Sequence, residues 1–291
     1  RQRFTLTKPY SDAMENKSQW CVAAVPGLNW ARKVFPGLGD AAAVERLWEE
    51  ILRCSRADGD AMAAWRAHNA RLKERCRWIN SLSLRRLIYK SESTGTDFTV
   101  GLIDKMRFMG ASEELAGTDI SFNANIPSEE VFTTPMRGDA EGVVYATRPL
   151  SYRGVLIEDF YIRFSGGRAV EAHAGKNEDA LHLMLSMDDG ASMLGECALV
   201  PFNSPIRESG ILFYNTLFDE NASCHLALGE GYSSCLENAG SYTPDEARAL
   251  GVNESMIHED FMIGAADLCI TGVTADGRTV PIFVNGDWAD A

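Results

Sequence analysis

The stretch Leu194-Gly195-Glu196-Cys197-Ala198-Leu199-Val200 is a short apolar run with a single carboxylate near its start. A run of this length between turn residues is typical of a buried β-strand. Similar runs, separated by turns rich in Gly, Asp and Asn, recur after residue 95 and predict a strand-rich domain. These other runs lie at residues 98–102, 142–147, 155–164, 211–213, 268–270 and 280–284.

The segment before residue 95 has a helical pattern instead. One helix is predicted to begin at Asp40 and another at Asp60, since each Asp precedes apolar residues spaced three and four apart and can cap a helix. We expect the apolar face of each helix to be core. The two faces consist of Val44, Leu47, Trp48 and Ile51, and of Met62, Trp65, Leu72, Cys76 and Ile79.

Three further elements complete the predicted fold. Residues 20–25 form an apolar run ended by a Pro-Gly pair, which predicts a buried strand. Helices are predicted over 177–187 and after Thr243, which is followed by Pro244 at the first turn. We therefore expect an α/β to α+β fold, with a mixed α/β segment at 1–95 and a strand-rich domain at 96–291.

The composition is that of a globular protein, with 45% hydrophobic and 24% charged residues. The net charge of -13, from 28 basic and 41 acidic residues, argues against nucleic acid and anionic membranes as partners. No apolar run is long enough to span a membrane. The seven cysteines are scattered without a CxxC pair, which favours reduced thiols and a cytoplasmic protein. The chain begins at Arg1, with no initiator Met and no signal peptide, so we expect an N-terminal portion to be missing.

Acidic residues and histidines are gathered near the ends of predicted strands. In the run 258–264, His258 and Asp260 are two apart, so on a strand both side chains point to one face and can aim at one metal ion. Glu196 opens an apolar strand, and the pair Glu129-Glu130 precedes another. A further polar cluster at 218–225 ends in His225, with Tyr232 seven residues beyond.

Taken singly, each of these features has a plain structural interpretation, such as a solvated carboxylate or a hydrogen-bonded histidine. Cys224 beside His225 offers an alternative, a thiol nucleophile activated by an imidazole, but no third group or oxyanion signature accompanies it. The chain also has no GxSxG elbow and no GxxxxGK[ST] loop. Ordinary serine-hydrolase and phosphate-loop chemistry therefore have no support.

Taken together, the runs 125–135, 194–200, 216–225 and 258–264 resemble the thermophilic metalloaminopeptidase family of aminopeptidase T and aminopeptidase S. The resemblance extends to Gly95-Thr96-Asp97-Phe98-Thr99 and to Asn285-Gly286-Asp287-Trp288, and it covers nearly the whole chain from about Trp20. Members of the family carry a further N-terminal domain, and we expect that most of it is missing from this sequence. The resemblance implies that residues 96–291 form the catalytic metal-binding domain.

The same resemblance implies a ligand set for two divalent metal ions, zinc, cobalt or magnesium. In this sequence the ligands fall on Glu130, Glu196, His225, Tyr232, His258 and Asp260. Imidazole and carboxylate ligands without a thiolate suit a catalytic rather than a structural site.

The implied activity is a metalloaminopeptidase, a hydrolase that removes the N-terminal residue of short peptides through a hydroxide bridging the two metals. We assign Glu129 as the general base, although alternation along a strand would turn it away from Glu130. A cytoplasmic homodimer is expected.

Two alternatives stay open. Some proteins that resemble this family are mononuclear iron dioxygenases that cleave hydroxylated pyridine rings and keep part of the ligand set. A non-catalytic metal-binding protein is the second alternative. The presence of all six ligand types favours the two-metal hydrolase.

Overall fold

The computed structural model describes residues 12–13 and 16–289. The remainder of the predicted N-terminal segment, at 1–11 and 14–15, lies outside the described residues. Within them the fold is mixed α and β, as expected from the sequence. Helices lie before the long strands and between them, and these strands form two large antiparallel sheets. The helices are α1 (Leu28–Val34), α2 (Asp40–Cys54), α3 (Ala61–Ser81), α4 (Glu178–Leu185), α5 (Pro205–Glu208), α6 (Thr216–Asp219) and α7 (Pro244–Leu250).

The two predicted N-terminal helices are present. In α2 the apolar stripe buries Leu47 and Ile51 against Phe213 and Phe218, whose rings lie 4.7 Å apart. The α3 helix begins as expected, because Asp60 accepts a hydrogen bond from the backbone N–H of Ala63 at 3.0 Å. Such a cap stabilises a helix by about 1 kcal/mol.

Two details of these helices were predicted wrongly. Asp40 does not cap α2, since the capping residue is Gly39 and the Asp40 carboxylate pairs with Arg32. Met62 is 66% exposed and takes no part in the buried face of α3. It lies in the first turn of the helix, before the face reaches the sheets.

The strands before residue 130 are mostly short. β2 and β3 are long and form a hairpin, whereas each of the others is two residues long. These strands are β1 (Val22–Ala23), β2 (Leu84–Ser91), β3 (Thr96–Leu102), β4 (Met109–Gly110), β5 (Glu113–Glu114), β6 (Ser121–Phe122) and β7 (Asn125–Ile126). The boundary expected near residue 95 falls in the turn between β2 and β3, and the division into two domains stays a prediction.

The remaining strands form most of the two large sheets. They are β8 (Val131–Thr133), β9 (Pro135–Tyr145), β10 (Leu150–Tyr152), β11 (Val155–Ser165), β12 (Arg168–Lys176), β13 (Leu194–Leu199), β14 (His225–Gly229), β15 (His258–Met262), β16 (Cys269–Thr274), β17 (Thr279–Val284) and β18 (Asp287–Trp288).

The larger sheet has the order β10-β11-β9-β3-β2-β16-β17-β18, with β12 paired to β11. The smaller sheet has five strands in the order β15-β14-β13-β8-β4, all of them antiparallel. The main apolar core joins residues of both sheets, among them Tyr89 and Phe98 of the larger sheet and Leu226 and Phe261 of the smaller one. The smaller sheet is thereby held as a rigid platform.

Two predicted strands differ in the structure. The buried strand expected at 20–25 is reduced to β1, which pairs in parallel with β7 and is exposed, with Val22 at 46%. Residues 211–213 form no strand; instead they lead into α6, and Phe213 packs beside Phe218. Each run packs against one short neighbouring segment and does not join a large sheet. The apolar run alone does not reveal which partner it will have.

Predictions in the second half are otherwise close. Helix α4 lies within 177–187, and α7 begins with a capping box between Thr243 and Glu246. Strands β2 and β12, although long, were missed because charged residues interrupt their apolar pattern. Within the described part of the chain, no helix combines the length and the apolar character that a membrane crossing requires.

Candidate metal centre

One face of the smaller sheet collects polar side chains. Glu196 on β13 is paired with Ala227 on β14, and Ala227 is paired on its other side with Asp260 on β15. Directly paired residues of an antiparallel sheet point to the same face, and so do residues two apart on one strand. His225 and His258 lie two residues before Ala227 and Asp260, so all four polar side chains project from this face.

These side chains lie within ion-pair distance of one another. The Nε2 atom of His225 lies 3.6 Å from one oxygen of Glu196, and the Nε2 atom of His258 lies 3.4 Å from the other. His258 Nε2 is also 3.5 Å from Asp260 Oδ1. Glu130, just before β8, completes the cluster, because its Oε2 is 3.2 Å from His225 Nε2.

The cluster divides into two groups that could each hold a metal ion. Glu130, Glu196 and His225 form one group, and Glu196, His258 and Asp260 form the other. In each group the ligand atoms lie within 4.8 Å of one another. Glu196 belongs to both, and its two oxygens face different histidines. That arrangement suits a carboxylate that bridges two cations.

Backbone carbonyls orient both imidazoles. His225 Nδ1 lies 3.2 Å from the carbonyl oxygen of Ser223, and His258 Nδ1 lies 2.7 Å from that of Glu230. A carbonyl can only accept, so each Nδ1 carries the proton and donates it. Each Nε2 then turns a free lone pair toward the carboxylates, as in histidines that bind metals.

Tyr232 borders the same cluster. Its ring packs against the imidazole of His258, with centroids 4.7 Å apart. The Thr134 hydroxyl accepts a hydrogen bond from the Tyr232 N–H at 2.7 Å and donates one to the Tyr232 carbonyl at 3.1 Å. Burial, followed by the carboxylates of Glu196 and Asp260, raises the pKa of the Tyr232 phenol well above its usual range. The phenol therefore needs a cation beside it in order to ionise.

The electrostatics of the cluster call for positive charge. Burial raises the pKa of Glu130, and His225 offsets this only in part. Burial lowers the pKa of His258, but Asp260 and Glu196 outweigh it and raise that pKa to about 12. Burying like charges together costs several kcal/mol unless they are compensated.

The donor set fits divalent metal ions. Asp260 is 6% exposed, and its Oδ1 atom has no hydrogen bond of normal geometry among the described residues, with His258 Nε2 3.5 Å away. A buried carboxylate oxygen that has lost its hydration and lacks a good donor is unfavourable, and a metal ion would satisfy it. Imidazole nitrogens and carboxylate oxygens without thiolate are ligands for catalytic zinc, cobalt or manganese rather than for a structural zinc site.

Glu129 is placed differently from Glu130. The guanidinium of Arg56 holds both oxygens of its carboxylate, with Nη2 at 2.7 Å from Oε2. The Glu129 N–H donates to the Asn221 side chain at 2.6 Å, and His68 Nε2 lies 2.7 Å from the carbonyl of Ser128. These three side chains fix the backbone that leads into Glu130. The alternation expected along the chain is therefore present, with Glu129 directed toward Arg56.

A further acidic residue, Glu220, lies against the cluster and was not selected from the sequence. It follows α6 in a short 3₁₀ turn, Glu220–Ala222, and lies within hydrogen-bonding reach of Asp260. Burial, then the charges of Asp260 and Glu130, raise its pKa well above the usual range. Its segment, 218–225, is a polar cluster in the sequence, but no pattern there distinguishes Glu220 from its neighbours.

Cys224 is a structural thiol. Its sulfur lies within 3.4 Å of the backbone N–H and 3.3 Å of the carbonyl of Val200, and the residue is buried. Burial raises the pKa of the thiol to about 12. A thiol nucleophile must ionise near neutral pH. The alternative of a Cys224 nucleophile beside His225 is therefore wrong.

Comparisons with known proteins identify the family. The family described as thermophilic metalloprotease (M29) matches residues 1–288. The chain is 45% identical over 280 residues to Aminopeptidase 2 of Geobacillus stearothermophilus, covering 96% of this chain and 67% of that protein. It is 42% identical over 283 residues to Aminopeptidase T of Thermus thermophilus, covering 97% of this chain and 68% of that protein.

A solved structure from the same family is also similar to this chain. Wild-type AmpT from Thermus thermophilus superposes with a TM-score of 0.87 at 40% identity, covering 97% of this chain and 68% of that chain. The chain thus spans about two thirds of the length of the relatives it matches. The family resemblance and the mixed α/β fold expected from the sequence are confirmed.

Proposed function

Because the chain belongs to the thermophilic metalloprotease (M29) family, we propose that it is a metal-dependent aminopeptidase with two divalent metal ions. The proposed ligands are Glu130, Glu196, His225, Tyr232, His258 and Asp260. The relatives are aminopeptidases by name, so the enzyme class predicted from the sequence is confirmed at the level of the family. The number of metals, the ligand roles and the activity of this chain are our proposals.

One observation carries the proposal of two ions. Two groups of three possible ligands, one with residues of three segments and one with residues of β13 and β15, share Glu196 and no other residue. A mononuclear site needs one such group. The second group, Glu196, His258 and Asp260, would have no function in a site with a single ion. Retaining two further polar side chains, His258 and Asp260, in this cluster without use would cost stability.

When bound, such ions supply Lewis acidity, polarising a carbonyl and lowering the pKa of a water molecule toward neutrality. The protein's own side chains prepare the site for this chemistry. Glu196, with its oxygens turned to different histidines, would hold the two ions at a fixed separation. The carbonyls of Ser223 and Glu230 keep each Nε2 directed inward.

Proton transfer requires a further group near the ions. We assign it to Glu129, the neighbour in sequence of the proposed ligand Glu130, although its carboxylate is paired with Arg56. The bidentate pair with Arg56 occupies two of the four lone-pair positions of the carboxylate, and two stay available to accept a proton. The assignment requires that a peptide and its water approach Glu129 on the side away from Arg56.

Further particulars of the proposal follow from the sequence. We infer that zinc, cobalt or magnesium occupies the site and that the substrates are short peptides. We also infer a cytoplasmic homodimer. The net charge of -13 supports substrates without strong negative charge, because acidic peptides would be repelled.

The test is hydrolysis of leucine amide and of N-acetyl-leucine amide by metal-free protein reloaded with zinc, cobalt or magnesium. The proposal expects release of ammonia from the free amine substrate and none from the acetylated one. No hydrolysis with any metal would contradict it. One iron per chain with oxygen consumption on a dihydroxypyridine would point to the ring-cleaving dioxygenase instead.

A further inference from the structure

The smaller sheet also carries apolar side chains on the face from which Glu196 and His225 project, which we call the metal face. His225 on β14 is paired with Ala198 on β13, and Ala198 is paired on its other side with Phe132 on β8. Directly paired residues of an antiparallel sheet point to the same face. Phe132 therefore lies on the metal face, two strands away from His225, and Ala198 places only a methyl group between them.

Met109 continues this row of paired residues. It lies on β4 and is paired with Phe132. The neighbours of these two residues in sequence, Phe108 and Val131, point the other way and are buried in the main apolar core, as the alternation along a strand requires. Phe132 and Met109 thus form an apolar pair on the metal face.

Phe132 and Met109 are not packed into an apolar core. Both side chains are half-buried. Within the described part of the chain, neither packs against the main core or against the two smaller apolar clusters around Phe218 and Leu236. Apolar surface that stays in contact with water is unfavourable, so a ligand side chain that covered this pair would gain binding free energy.

Aromatic contacts connect the pair to the proposed metal ligands. The Phe132 ring meets the Tyr232 ring edge-on, with centroids 6.2 Å apart and an angle of 75° between the planes. The Tyr232 ring in turn lies 4.7 Å from the imidazole of His258. Glu130, two residues before Phe132, lies 3.2 Å from His225 Nε2. The apolar pair is therefore continuous with the candidate metal centre.

The other end of the row offers no comparable surface. Met262 on β15 is paired with His225 on the side away from Ala198, but it is only 2% exposed. The recess beside Met262 and Leu150 has a volume of about 10 Å³. That is close to the least that holds one water molecule, and a side chain of leucine size does not fit.

We propose that Phe132 and Met109 form the subsite for the side chain of the substrate's N-terminal residue, and that this subsite accepts a large apolar side chain such as that of leucine. The proposal rests on the proposed aminopeptidase function and names its substrate class. The flexible thioether of Met109 can adapt to side chains of different shape. A charged side chain would lose hydration against these two apolar groups.

Binding of leucine hydroxamate and of glycine hydroxamate to zinc-loaded protein tests the inference. The two compounds share the amine and the metal-binding hydroxamate and differ only in the side chain. Titration calorimetry gives both dissociation constants for the wild-type protein, for Phe132→Ala and for Phe35→Ala. Phe35 is the matched control, because it is also half-buried but packs against the cluster around Phe218.

We expect the wild-type and Phe35→Ala proteins to bind leucine hydroxamate at least about tenfold more tightly than glycine hydroxamate, as added methylene groups do in an apolar pocket. In Phe132→Ala this ratio should fall by about tenfold, the same contribution removed. The affinity for glycine hydroxamate and the zinc content should be unchanged. Met109→Ala should lower the ratio by a smaller factor, and it carries the test if Phe132→Ala does not fold.

An unchanged ratio in both Phe132→Ala and Met109→Ala would overturn the inference. So would equal weakening of both hydroxamates or loss of zinc in Phe132→Ala, because either result would make Phe132 a support for Tyr232. These outcomes leave the proposed function standing if the wild-type protein hydrolyses leucine amide. If it hydrolyses no amide with any metal, the proposed function fails, and the inference that rests on it fails as well.

Discussion

Ala227 is paired directly with Glu196, and its methyl group lies on the face from which that carboxylate projects. The partner of Ala227 on its other side is Asp260. Strand β14 thus carries alanine, the smallest chiral residue, at the level where its neighbours β13 and β15 carry the carboxylates of Glu196 and Asp260. The small side chain of Ala227 would leave room for two cations between these carboxylates. The register of the strands is in this way linked to the proposed metal binding.

Ala227→Leu should abolish metal binding by filling this space. We expect the affinity for zinc to fall by at least about a hundredfold and stability to drop by about 1–3 kcal/mol, the usual cost of overpacking. The control is Ala174→Leu, in the larger sheet, where Ala174 is also buried. Titration calorimetry with zinc checks the prediction, and a variant that binds zinc normally would contradict it.

Glu196→Ala and Glu130→Ala should differ in how many ions they lose. Glu196 belongs to both ligand groups, whereas Glu130 belongs to one. We expect Glu196→Ala to retain less than about one ion per chain and Glu130→Ala to retain about one, because the group of Glu196, His258 and Asp260 stays intact. Elemental analysis after dialysis measures this. Equal loss in both variants would show that the groups do not act separately.

Glu129→Gln tests the general base. If Glu129 carries the proton, turnover should fall about 10²-fold to 10⁴-fold with normal metal content. Arg56→Gln serves as the companion variant, and Arg53→Gln, whose partner is Glu50, as the control. Unchanged turnover in Glu129→Gln would remove the assignment.

The same variants identify a structural role for the pair. If Glu129 serves only to hold Arg56, then Glu129→Gln and Arg56→Gln should lower the melting temperature by similar amounts. The double variant should then be no less stable than either single one, since both changes break one interaction. Thermal unfolding of the three proteins distinguishes this outcome from catalysis.

The raised pKa of Asp219 predicts that the free energy of unfolding depends on pH. Burial raises its pKa to about 6, although the N–H groups of Phe213 and Asn215 oppose the shift. The folded protein therefore binds this proton more tightly than the unfolded chain, whose Asp pKa is about 3.9. The stabilising contribution is complete below about pH 4 and is lost as the pH rises through about 6.

Asp219→Asn stays neutral at every pH and lacks this loss. Its melting temperature relative to that of the wild-type protein should therefore rise between about pH 4.5 and pH 7 and stay level above. Asp179→Asn, at an exposed position on α4, is the control and should show no such trend. A constant difference across the range would mean that Asp219 is ionised throughout.

Local patterns predicted much of the fold, whereas the full set of candidate ligands came from the resemblance to the family. His258 and Asp260 were expected on one face because two residues of spacing on a strand fix that relationship. Glu196 was expected at a strand, and it lies in β13. The local patterns did not predict the order of the strands. This order brings Glu130, Glu196 and His225 together from positions far apart in the chain.

Other features depend on partners that a local pattern does not contain. The exposure of Val22 follows from the pairing of β1 with the short strand β7. Glu220 is notable through its proximity to Asp260, 40 residues away in sequence. The orientation of Glu129 depends on Arg56, a residue between two helices to which the sequence assigned no role.

The central claim is that Glu130, Glu196, His225, Tyr232, His258 and Asp260 hold two metal ions. The most direct measurement is an anomalous-scattering map from crystals of zinc-loaded protein. We predict two peaks between these side chains, roughly 3.5–4 Å apart as in other two-metal sites, with Glu196 in contact with both. A single peak, or peaks elsewhere on the molecule, would contradict the account.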